Sequence, residues 1–130
     1  MRKIVAIAVA VILVAGCVTP MIPLPPPSPT YMSLTIPDET KGVAQFLYSP
    51  SSTDTSHNGA YFFVFNEDTG KGIIQQADAS GAIKSSDPIV VKDGHRISVW
   101  VQRAVSEERS DITNLVVDYS RTSKIRDVKE

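Results

Sequence analysis

The chain has 130 residues, a single cysteine and a formal net charge of −1. This length favours one domain. A mildly acidic chain without a cluster of Lys and Arg is a poor candidate for nucleic-acid binding, because phosphate contacts need clustered basic side chains. The single cysteine excludes an intramolecular disulfide, so the domain must depend on its apolar core for stability.

The first 16 residues have the layout of a bacterial signal peptide. Arg2 and Lys3 supply positive charge, and residues 4–15 form an unbroken apolar run, IVAIAVAVILVA. This run is much shorter than the roughly 20 residues that cross a bilayer as a helix, and it fits the apolar region of a signal peptide. We therefore predict a signal helix that is removed after residue 16.

The end of the apolar run carries a second motif. Val14, Ala15 and Gly16 directly precede Cys17, the only cysteine of the chain. This sequence resembles the lipobox of bacterial lipoproteins, in which an aliphatic and two small residues form the peptidase site before a lipidated cysteine. The resemblance implies cleavage before Cys17, a diacylglycerol on its sulfur and, in many bacteria, an acyl chain on the new amino group. The alternatives are an ordinary secretory signal with a chance cysteine and an uncleaved anchor.

The residue after the cysteine bears on the choice of membrane. In enteric lipoproteins an aspartate at this position tends to retain the protein in the inner membrane, whereas this chain has Val18. The resemblance thus implies the outer membrane where the source has one, and otherwise the outer face of the plasma membrane. Two or three acyl chains would give a stable anchor, at about 0.8 kcal/mol per buried methylene.

Residues 18–30, VTPMIPLPPPSPT, contain six of the nine prolines of the chain. Proline fixes φ and lacks an amide donor, so the segment favours polyproline II, which rises about 3.1 Å per residue. We expect residues 17–30 to be the lipidated cysteine and a semi-rigid tether that spans on the order of 40 Å. A docking site for a partner that binds PxxP segments is the alternative.

From residue 31 the pattern changes to short apolar segments separated by turn residues. No segment of ten or more residues has a helical apolar period. About seven short strands in roughly 90 residues predict an all-β fold, a β-sandwich that covers residues 31–120 and is followed by a charged, frayed tail at residues 121–130. The predicted strands are 32–36, 43–48, 60–66, 72–76, a broken strand from 83 to 91, 96–104 and 114–119.

The turns between these strands also form a pattern. In order, the chain has FNEDTGKG, ADASGAI and VKDGHRISVWV within residues 60–101. This series resembles the small immunoglobulin-like or carboxypeptidase-regulatory-like sandwiches of exported bacterial proteins, although His95 follows Gly94 where that family often has Asp. The resemblance implies an immunoglobulin-like sandwich with a structural, adhesion or interaction role, since a fold does not imply an activity.

Aromatic side chains are the first candidates for ligand contact. Because successive side chains of a strand point to opposite faces, Tyr61 and Phe62 lie on opposite faces of their strand. We expect Tyr61, Phe62 and Trp100 to belong to the core. The alternative is that they line a glycan-binding face, since aromatic rings stack on sugars.

No pattern of catalytic or metal-ligating residues stands out. His57 and His95 lie far apart without another His or Cys at ligand spacing, so we expect both on surface loops. Asp78 is expected to form a plain turn and not a calcium site. A G-x-S-x-G motif and a Gly-rich phosphate loop are both missing from the sequence. The expectation is a protein without catalytic residues, metal or cofactor other than its lipid.

Together these patterns favour a non-enzymatic, membrane-tethered module of the cell envelope that acts structurally or binds an envelope protein. A carbohydrate- or peptidoglycan-binding domain is the first alternative, because aromatic residues are available. A small hydrolase or hydrolase inhibitor is the second, although an enzyme would need ionisable residues that converge in a pocket.

Overall fold

Strands and turns alternate through residues 22–129, the part of the chain that the computed structural model describes. A short 3-10 turn (Pro29–Tyr31) is followed by β1 (Met32–Thr35), β2 (Val43–Tyr48), β3 (Tyr61–Asn66), β4 (Lys71–Gln76), β5 (Pro88–Val90), β6 (Arg96–Gln102), β7 (Thr113–Val117) and β8 (Ile125–Asp127). This confirms the predicted all-β class. Within residues 22–129 no helix is long and apolar enough to span a bilayer. The predicted signal helix and lipobox (Val14, Ala15, Gly16 and Cys17) lie outside the described residues.

The strands form two antiparallel sheets that pack face to face. One sheet has the order β1-β2-β5 and the other has the order β4-β3-β6-β7-β8. The chain therefore crosses between the sheets after β2, after β4 and after β5. The first seven strands have the order of an immunoglobulin-like sandwich, ABE on one sheet and C′CFG on the other, and β8 is added beside the last of them.

The core lies between the sheets and is formed by alternate residues of each strand. On β3 the inward Phe62 is fully buried, and its ring centroid is 4.6 Å from that of Tyr48 and 6.2 Å from that of Phe46 on β2. The parity of these strands explains the arrangement, because a half-buried strand places every second side chain against the opposite sheet.

The C-terminal residues add a strand that the sequence does not predict. The prediction of a frayed tail at residues 121–130 is wrong for Ile125–Asp127, which pairs with β7. Ile125 lies opposite Val117 and is only 4% exposed. A three-residue strand with one apolar side chain has no detectable period, and its position depends on the β7 edge that it completes.

The proline-rich segment is also part of the domain. Pro27 is fully buried, and Leu24 packs against the core. The hydroxyl of Thr113 donates to the carbonyl of Pro27 at 2.8 Å, and the amide of Ser28 donates to the Tyr48 phenol oxygen at 3.1 Å. Residues 22–28, hereafter the docked segment, thus cover the side of the sandwich between the end of β2 and the start of β7. The prediction that residues 18–30 form a free tether is wrong for these residues.

Candidate functional site

The outer face of the five-stranded sheet carries an apolar surface. Phe63 of β3 lies opposite Ile74 of β4 on one side and opposite Trp100 of β6 on the other. Tyr61 and Phe65 precede and follow Phe63 on the same face, and both are half-buried. These five side chains are hereafter the aromatic patch. Its position follows from strand parity, which sends odd-numbered residues of β3 away from the core.

Trp100 is held in place from two sides. Its ring is stacked on that of Phe63, with centroids 5.4 Å apart and an interplanar angle of 5°. The guanidinium carbon of Arg109, from the loop before β7, lies 5.9 Å from the Trp100 ring centroid. The indole N–H donates to the side-chain oxygen of Gln102 at 3.2 Å. The indole is therefore fixed before any ligand arrives.

Gln102 links this indole to the following loop. Its amide nitrogen lies 3.2, 3.0 and 2.7 Å from the carbonyl oxygens of Ala104, Val105 and Glu107, which share its two N–H groups. A buried amide with several partners is costly to disturb. Gln102 is 8% exposed. It thereby fixes the start of the loop at residues 103–112 beside the aromatic patch.

Gly72 on β4 lets an aromatic ring approach the backbone. A Cβ at this position would lie 2.6 Å from the carbonyl oxygen of Val64 and 3.1 Å from a ring carbon of Phe65. Only glycine leaves room for that ring at the strand edge. Two residues further along β4, Ile74 is 49% exposed. The patch is therefore packed at Phe65 and open at Ile74.

Strand β4 also presents a free edge. Among residues 22–129, β3 is its one hydrogen-bonded neighbour in the sheet. The amide of Ala77 donates to the carbonyl of Ala60 on the β3 side at 2.8 Å. Because antiparallel pairs alternate, the backbone groups of Gly72, Ile74 and Gln76 point away from β3. Such a row of backbone donors and acceptors is a template for pairing with another strand.

The three aromatic residues singled out by sequence divide between the two faces. Phe62 lies in the core, as expected. The expectation of a core position is wrong for Tyr61 and Trp100, which are half-buried on the outer face. Strand alternation already places Phe63 on the face of Tyr61, but its position beside Ile74 and Trp100 depends on the pairing register, which the sequence does not reveal.

His57 is not on the surface as expected, because it is only 5% exposed. Its Nε2 lies 2.7 Å from the carbonyl oxygen of Pro25, which can only accept, so this nitrogen carries the proton. Its Nδ1 is 3.5 Å from the Tyr48 phenol oxygen. Burial raises the pKa of Tyr48, although the N–H donated by Ser28 acts in the opposite direction. This cluster fixes the docked segment to the core.

The remaining polar candidates form local turns. The carboxylate of Asp78 accepts from the amide and hydroxyl of Ser80 and from the amide of Ala82 at 2.6–3.0 Å, and these bonds lower the pKa of Asp78. This is the predicted turn. His95 accepts from the amide of Lys92 at 3.1 Å. Across residues 22–129 no group of three or more His, Cys, Asp and Glu side chains is arranged to hold a metal ion.

Comparison with protein-family models, with curated proteins and with solved structures found no match to this chain.

Proposed function

We propose that this chain is a lipoprotein of the bacterial cell envelope whose sandwich binds another envelope protein and catalyses no reaction. The proposed anchor is the lipidated Cys17, after cleavage directed by Val14, Ala15 and Gly16. The aspartate that tends to retain enteric lipoproteins in the inner membrane is replaced by Val18, so we propose the outer membrane in a source that has one.

The observation that carries the binding proposal is the row Ile74–Phe63–Trp100 beside a free strand edge. Contiguous exposed apolar surface on a small domain marks interaction sites. Aromatic residues are enriched at the centres of protein interfaces. Trp100 and Phe63 are already stacked, so little conformational freedom is lost when a partner covers them.

The geometry favours a partner that contributes an extended segment. Such a segment would pair with the outward backbone groups of Gly72, Ile74 and Gln76. Its alternate side chains would then lie over the aromatic patch, as in recognition by strand addition. The expected partner sequence therefore has apolar residues at every second position over about five residues.

Binding of a glycan is supported less well. Sugar stacking needs a free ring face, whereas Trp100 is stacked on Phe63 and lies near the Arg109 guanidinium. Tyr61 remains as a half-buried aromatic beside Gln76 and Gln102. Retention on peptidoglycan that is lost in Tyr61→Ala and kept in Phe63→Ala would support this alternative.

The test is photo-crosslinking in living cells with the reactive residue at position 74. Position 43 is the matched control, because Val43 is 42% exposed on the outer face of the other sheet and Ile74 is 49% exposed. We expect one abundant envelope protein to be captured from position 74 and not from position 43. Mass spectrometry of the membrane-bound wild type tests the anchor, because its N-terminal peptide should begin at Cys17 and carry acyl chains, whereas Cys17→Ser should retain residues 1–16.

The two parts of the proposal can fail separately. Capture of the same proteins from both positions, or of none, would refute binding through the aromatic patch. A mature chain whose Cys17 carries no acyl chain would refute the lipid anchor and leave the binding proposal intact.

A further inference from the structure

The docked segment limits how far the domain can lie from its anchor. Three carbonyls of this segment accept hydrogen bonds from the body of the domain: Ile22 from Arg103, Pro25 from His57 and Pro27 from Thr113. From residue 22 onward the chain therefore belongs to the sandwich. Only residues 18–21 separate Ile22 from Cys17.

The reach of this connection follows from chain geometry. A fully extended chain spans at most about 3.6 Å per residue, so the five steps from Cys17 to Ile22 cover no more than about 18 Å. This is less than half of the distance that a free tether over residues 18–30 would allow, on the order of 40 Å.

The chain enters the sandwich at one definite end. Tyr61 pairs with both Gln76 and Gln102, so the start of β3 and the ends of β4 and β6 lie together. The loop at residues 103–112 begins there, and Arg103 of this loop contacts the Ile22 carbonyl. We name this the anchor end. The Glu67–Gly70 turn joins the other ends of β3 and β4 and lies at the opposite end.

Three exposed aliphatic side chains lie on the docked segment and on the loop at residues 103–112. Ile22 is 80% exposed, Val105 is 58% exposed and Ile112 is 37% exposed. The loop that carries two of them is close to neutral, with Arg103 and Arg109 against three acidic residues, Glu107, Glu108 and Asp111. Exposed aliphatic side chains can be partly buried in the headgroup region of a bilayer, while the charged side chains beside them stay in water.

From the short connection and this surface we infer that the lipidated domain lies directly against a lipid surface, with the anchor end facing it and Val105 at headgroup level. The occupant of this surface is the membrane to which Cys17 is attached. The inference rests on the proposed lipidation of Cys17. Since β4 runs between the two ends, the aromatic patch then faces sideways, where a partner on the same membrane can reach it.

The test uses the full lipidated chain in vesicles of phosphatidylethanolamine and phosphatidylglycerol that contain headgroup-attached quenchers. With Cys17 occupied by lipid, a single new thiol at Val105→Cys or at the exposed Thr69→Cys can be labelled with a fluorophore. We expect severalfold stronger quenching at position 105 than at position 69. Mass spectrometry of the same samples checks the lipid on Cys17, so loss of the anchor is recognised separately.

A longer connection provides the matched control. Insertion of about twelve Gly and Ser residues between Thr19 and Pro20 adds roughly 20 Å of root-mean-square reach without touching the domain. Quenching at position 105 should then fall to the level of position 69. Equal quenching at the two positions in the lipidated, unextended protein would overturn the inference, as would quenching at position 105 that the insertion leaves unchanged.

Discussion

The two faces of strand β3 carry the same kind of side chain in different surroundings. Phe62 is fully buried between the sheets, against Tyr48 and Phe46. Phe63, the next residue, is half-buried on the outer face and stacks on Trp100. Residue type alone does not distinguish core from surface aromatics in this domain, whereas the alternation of the strand and the presence of a covering sheet do.

This contrast predicts that alanine substitutions at the neighbouring residues Phe62 and Phe63 lower the stability of the fold by different amounts. Phe62→Ala should lower the free energy of unfolding by about 3–5 kcal/mol, because it leaves a cavity that the two sheets cannot fill. Phe63→Ala should cost about 1 kcal/mol, as expected for a half-buried surface residue. Urea denaturation of residues 18–130, which include the whole described domain, measures both. Equal losses would show that the outer face is as important for stability as the core.

The second prediction tests the outer face for binding. Phe63→Ala should weaken capture of the partner from position 74 at least tenfold, or about 1.4 kcal/mol, because it removes the centre of the aromatic patch. Val43→Ala, on the outer face of the other sheet, is the control and should leave capture unchanged. Unchanged capture in Phe63→Ala would place the partner elsewhere.

The third prediction concerns the bond that holds the docked segment against the sandwich. Thr113→Val keeps the β-branched shape and removes the hydrogen bond to Pro27, so it should cost about 1 kcal/mol of stability. Limited proteolysis should then cut the docked segment more rapidly. Thr35→Val at an exposed position of β1 is the control. If both variants are cut at the wild-type rate, this bond does not hold the segment.

The smallest expected effect is a pH dependence at the turn that leads to β8. The hydroxyl and then the amide of Ser120 lower the pKa of Asp118, and the charges of Arg121 and Arg126 act in the same direction. The pKa of Asp118 is therefore lower in the folded protein than in the unfolded chain, where it is about 3.9. The ionised carboxylate stabilises the folded protein above that pH, and this stabilisation is lost as the pH falls through the folded pKa.

Asp118→Asn should therefore be less stable than the wild type near neutral pH, and the difference should vanish in strong acid. Thermal unfolding across this range measures it. A difference that persists at low pH would mean that the carboxylate charge is not what stabilises the turn.

Sequence alone predicts the parts of this fold that depend on local pattern. The second strand has the predicted bounds, Val43–Tyr48, and the separation of Phe62 from Tyr61 follows from simple alternation. The opposition of Ile74 and Phe63 depends on the register between β3 and β4, which the hairpin turn determines, so the aromatic patch could be predicted only in part.

The elements that were predicted wrongly depend on distant contacts. The prolines of the docked segment have no period, and their buried position depends on Thr113, which is 86 positions away. His57 lies in a polar loop and is buried because its ring packs against Tyr48 and Phe62 and the Pro25 carbonyl lies against its Nε2. The strand Ile125–Asp127 is recognisable only beside β7. In each case the deciding partner is remote in sequence.

The bond between Thr113 and Pro27 also determines when the domain can be completed. It joins residues that are 86 positions apart, so the docked segment cannot make this contact before β7 has formed. Until β7 has formed, Leu24 and Pro27 have no side of the sandwich to cover. Formation of this contact should therefore be among the late steps of folding. The entropic cost of closing such a long loop is offset only once the two sheets have formed.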